Sequence, residues 1–412
     1  MDKIGKKCVE LGENLYTYKG LVKVMPLAMV DDLLGMAKCG SDSANLNITI
    51  NSEIEFKKLK LHTPNEQGKS KCHTMHIGRQ DQACSELKVH GCPVEKVNSD
   101  TYLGDIISSD GKNKLNIESR VGKGLGIVST IMDMLKTVSF GSHYFEMAVT
   151  YRESMLINGM LTNCESWYGL TKTEVEKLEE VDKLLLRQVF GVAQSCPIEA
   201  LYLETGCIPF SLVIKSRRIN YLHYLAKRSE NEMLYKFFIT QWNHPVNNDL
   251  TKQVKMDLDE FQMSSDLRWI KSQSNFKFKK MVKCQARDVA LEKFNQIKSH
   301  HSKMDNLFYV DLQLQEYLKD KMITLKQARA VFKFKTRMAN YSDNFKAGNE
   351  TKPCPLCKEG LDTQRHSLVC KVIQQNIKVN MMYGDIFHSK VDKEVAKTVE
   401  NILNFREEFL NL

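Results

Sequence analysis

From about residue 112 onward, apolar side chains recur at steps of three and four, the spacing that places them on one face of a helix. The clearest stretch contains Val175, Leu178, Val181, Leu185 and Val189. Thr173 with Glu176 fits a capping box at the start of this helix, and Gly191 fits its end. The pattern predicts more helix over 236–345, with weaker periodicity, and a periodic helical tail over 395–410.

Residues 1–110 show a different pattern, in which short apolar runs alternate with polar stretches. Two apolar runs, 21–29 and 33–37, flank Asp31 and Asp32, and this predicts a hairpin with two carboxylates at its bend. The other elements predicted here are a helix over 43–60 and short strands over 72–78 and 102–107. The expected fold is therefore mainly α with a small α+β N-terminal part.

Composition agrees with a helical chain and narrows its class. Glycine and proline make up about 7% of the 412 residues, against about 12% in an average protein. Hydrophobic content of 42% and charged content of 26% exclude a collagen, a disordered tail and a membrane bundle. The formal net charge of +9 favours an anionic partner, with nucleic acid ahead of a membrane.

The N-terminus and the cysteines indicate a compartment. The first seven residues lead into no apolar run, so we expect no signal peptide. Nine of the twelve cysteines are scattered singly along the chain. Both features favour a reducing environment, and we expect a nuclear or cytoplasmic protein that is not secreted.

The other three cysteines lie close to a histidine. Two residues separate Cys354 from Cys357, eight separate Cys357 from His366, and three separate His366 from Cys370. Three thiolates and one imidazole form a closed tetrahedral zinc site, which is structural rather than catalytic. A unit this small would scarcely fold without its metal. The alternative is chance clustering in a cysteine-rich chain.

The paired acids of the predicted hairpin are a second candidate site. Adjacent carboxylates in an apolar hairpin repel each other and are costly to desolvate, and a divalent cation offsets both effects. Two-metal phosphoryl transfer uses carboxylates at such a position to hold magnesium ions about 4 Å apart. Asp31 and Asp32 are therefore candidate magnesium ligands. The alternative is a solvated turn that carries two acids.

A third group, Cys72, His73, His76 and Cys84, contains ligand types for a metal. Strand alternation places the two histidines on opposite faces, which argues against a site.

The segment 267–303 carries ten basic and two acidic residues, a net charge of +8, with four aromatic residues between them. This composition fits a surface that follows a phosphate backbone and stacks bases. The alternative is a solvated helix face with its aromatic residues in the core. The candidate nucleic-acid contacts, here and in two similar clusters, are Lys277, Lys279, Lys280, Lys283, Arg287, Arg217, Arg218, Lys333, Lys335 and Arg337.

In their order along the chain, these features resemble the C-terminal part of the reverse transcriptase of non-LTR (LINE-like) retrotransposons. Residues 29–32 look like the palm hairpin that bears the paired catalytic aspartates, and Lys71 sits where such palms carry a lysine near the incoming nucleotide. Residues 102–104, which are Tyr102, Leu103 and Gly104, resemble the turn that opens the primer-grip hairpin. Residues 170–191 look like the thumb, and 354–370 resemble the knuckle that follows it.

The resemblance implies that the parent protein is an RNA-directed DNA polymerase of a transposable element. Asp31 and Asp32 would hold magnesium, Lys71 would assist at the triphosphate, and Tyr102 through Gly104 would steady the primer end. RNA, DNA or an RNA–DNA hybrid would be the partner, without a membrane.

The chain also departs from the family pattern. Met29 stands where the family usually has an aromatic residue or alanine, and the last knuckle spacing is three where four is commoner. We find no fingers, no strand with the third metal-binding aspartate and no endonuclease in the 412 residues. We therefore expect the chain to be inactive as a polymerase alone.

The expected organisation has five parts. They are a partial palm over 1–110, a helical thumb over 111–235, a basic helical connector over 236–345, a CCHC zinc knuckle over 346–375 and a helical tail over 376–412. Two other functions stay open, a non-catalytic zinc-dependent RNA- or DNA-binding module and a decayed element with no selected role. The sequence carries no signal for an oligomeric state.

Overall fold

A computed structural model describes most of the chain, and every structural statement below concerns the residues it describes. These are 16–18, 20, 22–24, 27–29, 32–57, 71–77, 87–89, 91–138, 143–247, 249–298, 300–301, 303–304, 307, 309–345, 351–387 and 391–411. Helix accounts for 61% of the structure and strand for 8%. The prediction of a mainly helical chain with small sheets is confirmed.

The strands occur in the N-terminal part as five separate pairs. In chain order they are β1 (Thr17–Tyr18), β2 (Val22–Lys23), β3 (Leu27–Met29), β4 (Asp32–Leu34), β5 (His73–Thr74), β6 (Lys88–Val89), β7 (Cys92–Pro93), β8 (Glu95–Lys96), β9 (Ser99–Tyr102) and β10 (Asp105–Ser108). The pairs β1–β2, β3–β4, β6–β7 and β9–β10 are antiparallel, and β5–β8 is parallel. In the described residues these pairs do not join into a larger sheet.

The helices lie mainly in the part of the chain from residue 114 onward. They are α1 (Gly40–Phe56), α2 (Lys114–Thr137), α3 (His143–Tyr151), α4 (Lys172–Phe190), α5 (Ile198–Thr205), α6 (Phe210–Ala226), α7 (Met233–Asn243), α8 (Leu250–Glu260), α9 (Leu267–Ser272), α10 (Asn275–Lys298), α11 (Leu325–Lys335), α12 (Lys371–Asn376) and α13 (Lys393–Leu410). Shorter helical turns are Arg152–Ile157, Asn158–Met160, Cys164–Ser166, Glu316–Lys319, Ser342–Phe345, Gln364–Ser367 and Tyr383–Phe387. No helix in this described set is both long and apolar enough to cross a membrane.

Helix α4 shows how the local sequence determines where a helix begins and ends and which of its faces is buried. The predicted apolar face is buried except at Val175, which is half-buried. Gly191 ends the helix in the left-handed region at φ +62°. The predicted cap at Thr173 is wrong, because the N-cap residue of this helix is Thr171. The Thr171 hydroxyl accepts from the Glu174 backbone N–H, and the Glu174 side chain accepts from the Thr171 backbone N–H. The sequence holds two overlapping capping-box patterns, and the earlier one is used.

One hydrophobic core joins most of the helices. It includes buried side chains from Ile117 in α2 to Val399 in α13. Helix α4 packs against α2, and α6 packs against both α8 and α10. The segments predicted as thumb and connector therefore share their core. Helix α1 has a small cluster of its own, and a third cluster lies beneath Cys354 and Cys370.

A buried ion pair lies inside this core. The Arg152 guanidinium donates from Nε and Nη2 to both carboxylate oxygens of Asp182, each at 2.6 Å, and from Nη2 to the Ile208 carbonyl at 2.8 Å. The Tyr202 hydroxyl donates to Asp182 at 2.9 Å. Burial, the largest single effect, lowers the pKa of Arg152. The charge of Asp182, its hydrogen bond to Arg152 and the neighbouring Cys207 and Tyr202 together outweigh burial and raise that pKa above its ordinary value. The Arg152 guanidinium is therefore charged at neutral pH.

Replacing Asp182→Asn should lower the free energy of unfolding by about 3–5 kcal/mol, because it leaves the Arg152 charge buried without a counter-charge. Urea denaturation followed by circular dichroism measures the change. Asp133→Asn is the matched control, since Asp133 pairs with Lys136 on the exposed surface at 2.8 Å, where such pairs contribute little. Equal effects of the two substitutions would contradict this account.

Candidate functional site

The described residues contain one cluster of side chains arranged like metal ligands, formed by Cys354, Cys357, His366 and Cys370. Their ligand atoms all lie within 4.8 Å of one another. Cys354 Sγ is 4.0 Å from Cys370 Sγ, and Cys357 Sγ is 3.2 Å from His366 Nε2. Ligand atoms around a tetrahedral zinc with Zn–S bonds of about 2.3 Å are about 3.8 Å apart. The cluster can therefore hold a metal ion such as zinc.

The backbone between the first two ligands makes the turn that aims them inward. The Cys354 N–H donates to the Gly360 carbonyl at 2.6 Å, and the Lys358 N–H donates to the Cys354 carbonyl at 3.0 Å. Lys358 has φ +61°, which lets the chain reverse. Pro353 and Leu361 pair as a short bridge that closes the loop. His366 lies in the short helical turn Gln364–Ser367, whose N-cap residue is Thr363. The Thr363 hydroxyl accepts a hydrogen bond from the His366 backbone N–H at 3.0 Å.

Gly360 lies directly against the His366 ring. A Cβ at this position would come within 2.2 Å of His366 Cε1. A methyl group there would displace the imidazole, so the ligand geometry requires glycine.

Two thiols of the cluster differ in their ease of deprotonation. The backbone N–H groups of Glu359 and Gly360, followed by His366, lower the pKa of Cys357 to about 6. Burial raises the pKa of Cys370 to about 11. A bound metal favours the thiolate of both, and its binding therefore releases protons.

The cluster is fixed to the helical core on two sides. Leu356, Leu368 and Ile373 pack against Ile402 of α13. Arg406 of α13 donates to Asp362 at 2.7 Å and to the Asn340 carbonyl at 3.0 Å. The Gln364 amide donates to the carbonyl of Phe334 in α11 at 2.7 Å. The segment predicted as a helical tail is thus part of the support of the metal cluster.

The predicted pairing of two strands around the paired acids is confirmed for the described residues, Leu27–Met29 and Asp32–Leu34. Strands β3 and β4 pair with Met29 opposite Asp32, and we refer to this pair as the acidic hairpin. Asp32 is exposed at the start of β4. Asp31, the other candidate magnesium ligand, lies outside the described residues. Lys71 is exposed and precedes β5.

Strands β9 and β10 form a second hairpin, which we refer to as the 99–108 hairpin. The single strand predicted over 102–107 is wrong, because Leu103 and Gly104 have φ +49° and +84° and reverse the chain. This is the turn predicted at Tyr102, Leu103 and Gly104. Burial, followed by the negative charge of Asp32, raises the pKa of Tyr102. Tyr102 therefore lies within electrostatic range of Asp32.

Asp105, which the sequence analysis did not single out, anchors this hairpin to α2. Its Oδ1 accepts from Arg120 Nη2 at 2.7 Å, from Asn116 Nδ2 at 3.1 Å and from Trp167 Nε1 at 3.1 Å. Arg120 also donates to the Gly104 carbonyl at 2.7 Å. The only indication of this contact in the sequence is that Asp105 directly follows the turn predicted at Tyr102, Leu103 and Gly104.

The candidate nucleic-acid contacts separate into two groups. Lys277, Lys279, Lys280 and Lys283 are exposed on α10, and Arg287 is half-buried beside them. Two predicted contacts are wrong, because Arg218 is 4% exposed and pairs with Asp257 at 2.7 Å, and Lys335 is buried with Glu204 at 3.0 Å. Both cations are needed to neutralise a buried acid, so neither is available to a phosphate.

The remaining basic candidates are partly engaged in the fold. Arg217 donates to the Leu161 carbonyl at 2.5 Å and to Asn158 at 2.9 Å. Arg337 pairs with Asp343 at 2.5 Å, and Lys333 is half-buried on α11. In the third candidate metal group, His73 pairs with Asp100 at 2.9 Å. Cys84 of that group lies outside the described residues.

The aromatic residues of the basic segment are also divided. Phe278 and Phe294 are buried in the core. Phe276 is 81% exposed, and Trp269 is half-buried. The segment thus combines a core-packing face with an exposed, basic and partly aromatic face.

Comparisons with known proteins return nothing for this chain, since no protein-family model, no curated protein and no solved structure matches it.

Replacing Gly360→Ala should weaken metal binding by about 10- to 100-fold, the range seen when groups that support metal ligands are lost. Competition with a chromophoric zinc chelator measures the affinity. Gly384→Ala is the matched control, because nothing lies within 4 Å of a Cβ at that position. Cys357→Ser supplies the reference for a missing ligand. An unchanged affinity in the Gly360→Ala protein would contradict the assigned ligand geometry.

Proposed function

We propose that this chain is the palm–thumb–knuckle segment of a non-LTR retrotransposon reverse transcriptase. It binds RNA, DNA or an RNA–DNA hybrid, in the nucleus or cytoplasm, and does not polymerise on its own. The observation that carries the proposal is the hairpin turn at Leu103 and Gly104, together with an exposed Asp32 on the acidic hairpin whose charge reaches Tyr102. A nucleotide-joining site needs a metal-binding carboxylate beside an element that holds the primer end.

The anchoring of the 99–108 hairpin supports this proposal. Asp105 and Arg120 join the hairpin to α2, and the Asn163 side chain donates to the Leu103 carbonyl at 3.2 Å. A hairpin held in this way keeps a fixed position relative to the helices that follow it. In the proposed function, those helices form the thumb that lies along the bound duplex.

The donor set of the metal cluster favours zinc. Three thiolates and one imidazole are soft and borderline ligands, and their tetrahedral spacing is typical of structural zinc sites. We propose that zinc holds the knuckle, with Cys354, Cys357, His366 and Cys370 as its four ligands. Magnesium binding at Asp31 and Asp32 belongs to the complete palm, since a two-metal site needs the third carboxylate to bridge both ions.

A second function, nucleic-acid binding without chemistry, is favoured by a separate observation. The exposed lysines of α10 and the metal cluster are both carried by the helical core and not by the acidic hairpin. A protein with these features alone would bind nucleic acid in a zinc-dependent manner. Activity and binding must therefore be measured separately.

We expect the purified 412-residue chain to give no primer extension on an RNA template with Mg²⁺, because Asp31 and Asp32 lack the third carboxylate of a two-metal site. A gel-based extension assay measures the product. Binding of the same preparation to an RNA–DNA hybrid is the control for a folded protein. Robust extension would contradict the assignment of an incomplete site.

Nucleic-acid affinity should fall steeply as salt concentration rises, since each lysine–phosphate contact releases counterions. Replacing Lys279→Ala and Lys283→Ala together should reduce the slope of log K against log [salt] by about 2. Fluorescence anisotropy across a salt series measures the slope. Lys236→Ala, an exposed lysine on α7, is the control for a general change in charge. Affinity that does not vary with salt would contradict both proposed functions.

A further inference from the structure

We propose that a cleft at the start of α10 takes one unpaired nucleobase of a single strand. The inference rests on the proposed nucleic-acid binding and adds the position and chemistry of one subsite. The cleft has a volume of about 340 Å³ and lies between the end of α8, α9 and the first turns of α10. That volume falls in the range of small-molecule pockets. We refer to it as the base cleft.

The wall of the base cleft is apolar and aromatic. Trp269 of α9 and Met281 of α10 line it and are half-buried, and Met263, which also lines it, is buried. Every nucleobase has a flat π-face, and stacking on an aromatic side chain is the usual way in which proteins hold unpaired bases. Methionine packs well against irregular and aromatic surfaces. The wall therefore fits a base more closely than it fits a sugar or a phosphate.

The rim of the base cleft is cationic. Lys277 and Lys280 line it, and their spacing of three places them on one face of α10. Both are exposed, and neither takes part in an ion pair with an acid in the described residues. No acidic side chain lines the cleft. The two lysines are placed to contact the phosphates on either side of a stacked base.

A glutamine at the mouth of the base cleft stands in a conformation that favours glycine. Gln262 has φ +52° and ends α8, with its own N–H bonded to the Asp259 carbonyl at 2.9 Å and the Met263 N–H bonded to the Leu258 carbonyl at 2.8 Å. Glycine is the usual residue at this position of a helix end. A glutamine amide both donates and accepts, which matches the edge of a base. In this proposal, the Gln262 amide contacts the edge of the bound base.

The same surface continues to a second aromatic residue. Phe276 is 81% exposed and directly precedes Lys277. An acidic peptide would also meet the two lysines, but its carboxylates have no π-face to occupy the wall at Trp269. The combination of lysines with exposed aromatic surface therefore favours a single-stranded nucleic acid over an acidic protein segment.

The test compares two oligonucleotides of equal length and charge. One is fully abasic, and the other is abasic except for one central thymine. Fluorescence anisotropy should give the thymine-containing strand about 5- to 150-fold higher affinity, the equivalent of 1–3 kcal/mol per stacked base. Trp269→Ala should reduce this ratio to about one, and Trp269→Phe, which keeps a ring, should preserve part of it.

Two further variants separate recognition from folding and from charge. Gln262→Gly should lower the ratio while the thermal midpoint stays the same or rises, because glycine suits the backbone there. Lys279→Ala, on the same helix but outside the cleft, should weaken both strands equally.

The outcomes distinguish this inference from the proposed function. If neither strand binds, and an RNA–DNA hybrid does not bind either, the proposed function fails. If both strands bind and the ratio is the same in wild type, Trp269→Ala and Gln262→Gly, the base cleft is refuted and nucleic-acid binding stands. A polyglutamate peptide and a thymine oligonucleotide can also be compared as competitors. If the peptide competes at the same concentration as the oligonucleotide, the assignment of the cleft to a base is overturned.

Discussion

The hydrogen bonds to Asp105 are the interaction on which the arrangement of the N-terminal part depends. One carboxylate oxygen accepts from Asn116, Arg120 and Trp167, and these three side chains are themselves buried. Removing the carboxylate would leave the Asn116 and Trp167 donors without this acceptor and the buried Arg120 without its counter-charge, which is costly. The small strand pairs provide little packing of their own. The 99–108 hairpin therefore takes its position from the helical core.

Burial decides which basic residues serve the fold and which are available to a ligand. Arg218 and Lys335 lie in the core against Asp257 and Glu204, and the Tyr309 hydroxyl also donates to Glu204. A buried acid needs a nearby cation, because an unpaired charge in the core is strongly destabilising. The lysines of α10 face solvent. The net positive charge of the sequence therefore includes buried cations that cannot contact a nucleic acid.

The features that depend on local sequence were predictable. The apolar face of α4, the acidic hairpin and the spacing of Cys354 to Cys370 each follow from residues close together in the chain. The partners of Arg218 and Asp105 lie 39 and up to 62 residues away, and no periodicity identifies such a pairing. The local pattern also could not show which of the two overlapping capping boxes, at Thr171 or at Thr173, begins α4. The base cleft was missed for the same reason, since it needs Gln262, Trp269 and Lys277 to meet across three helices.

The metal cluster and the helical core stabilise each other through a small number of contacts. Asp362 and Gln364, within the cluster segment, bind Arg406 of α13 and the backbone of α11. A metal that orders the segment also orders these two residues, so part of its binding free energy stabilises the packing of α13 on α11. The contacts that bury α2 and α4 lie elsewhere in the core. Removal of a metal bound at the cluster should therefore loosen the C-terminal end of the bundle first and leave the hairpin anchored at Asp105 in place.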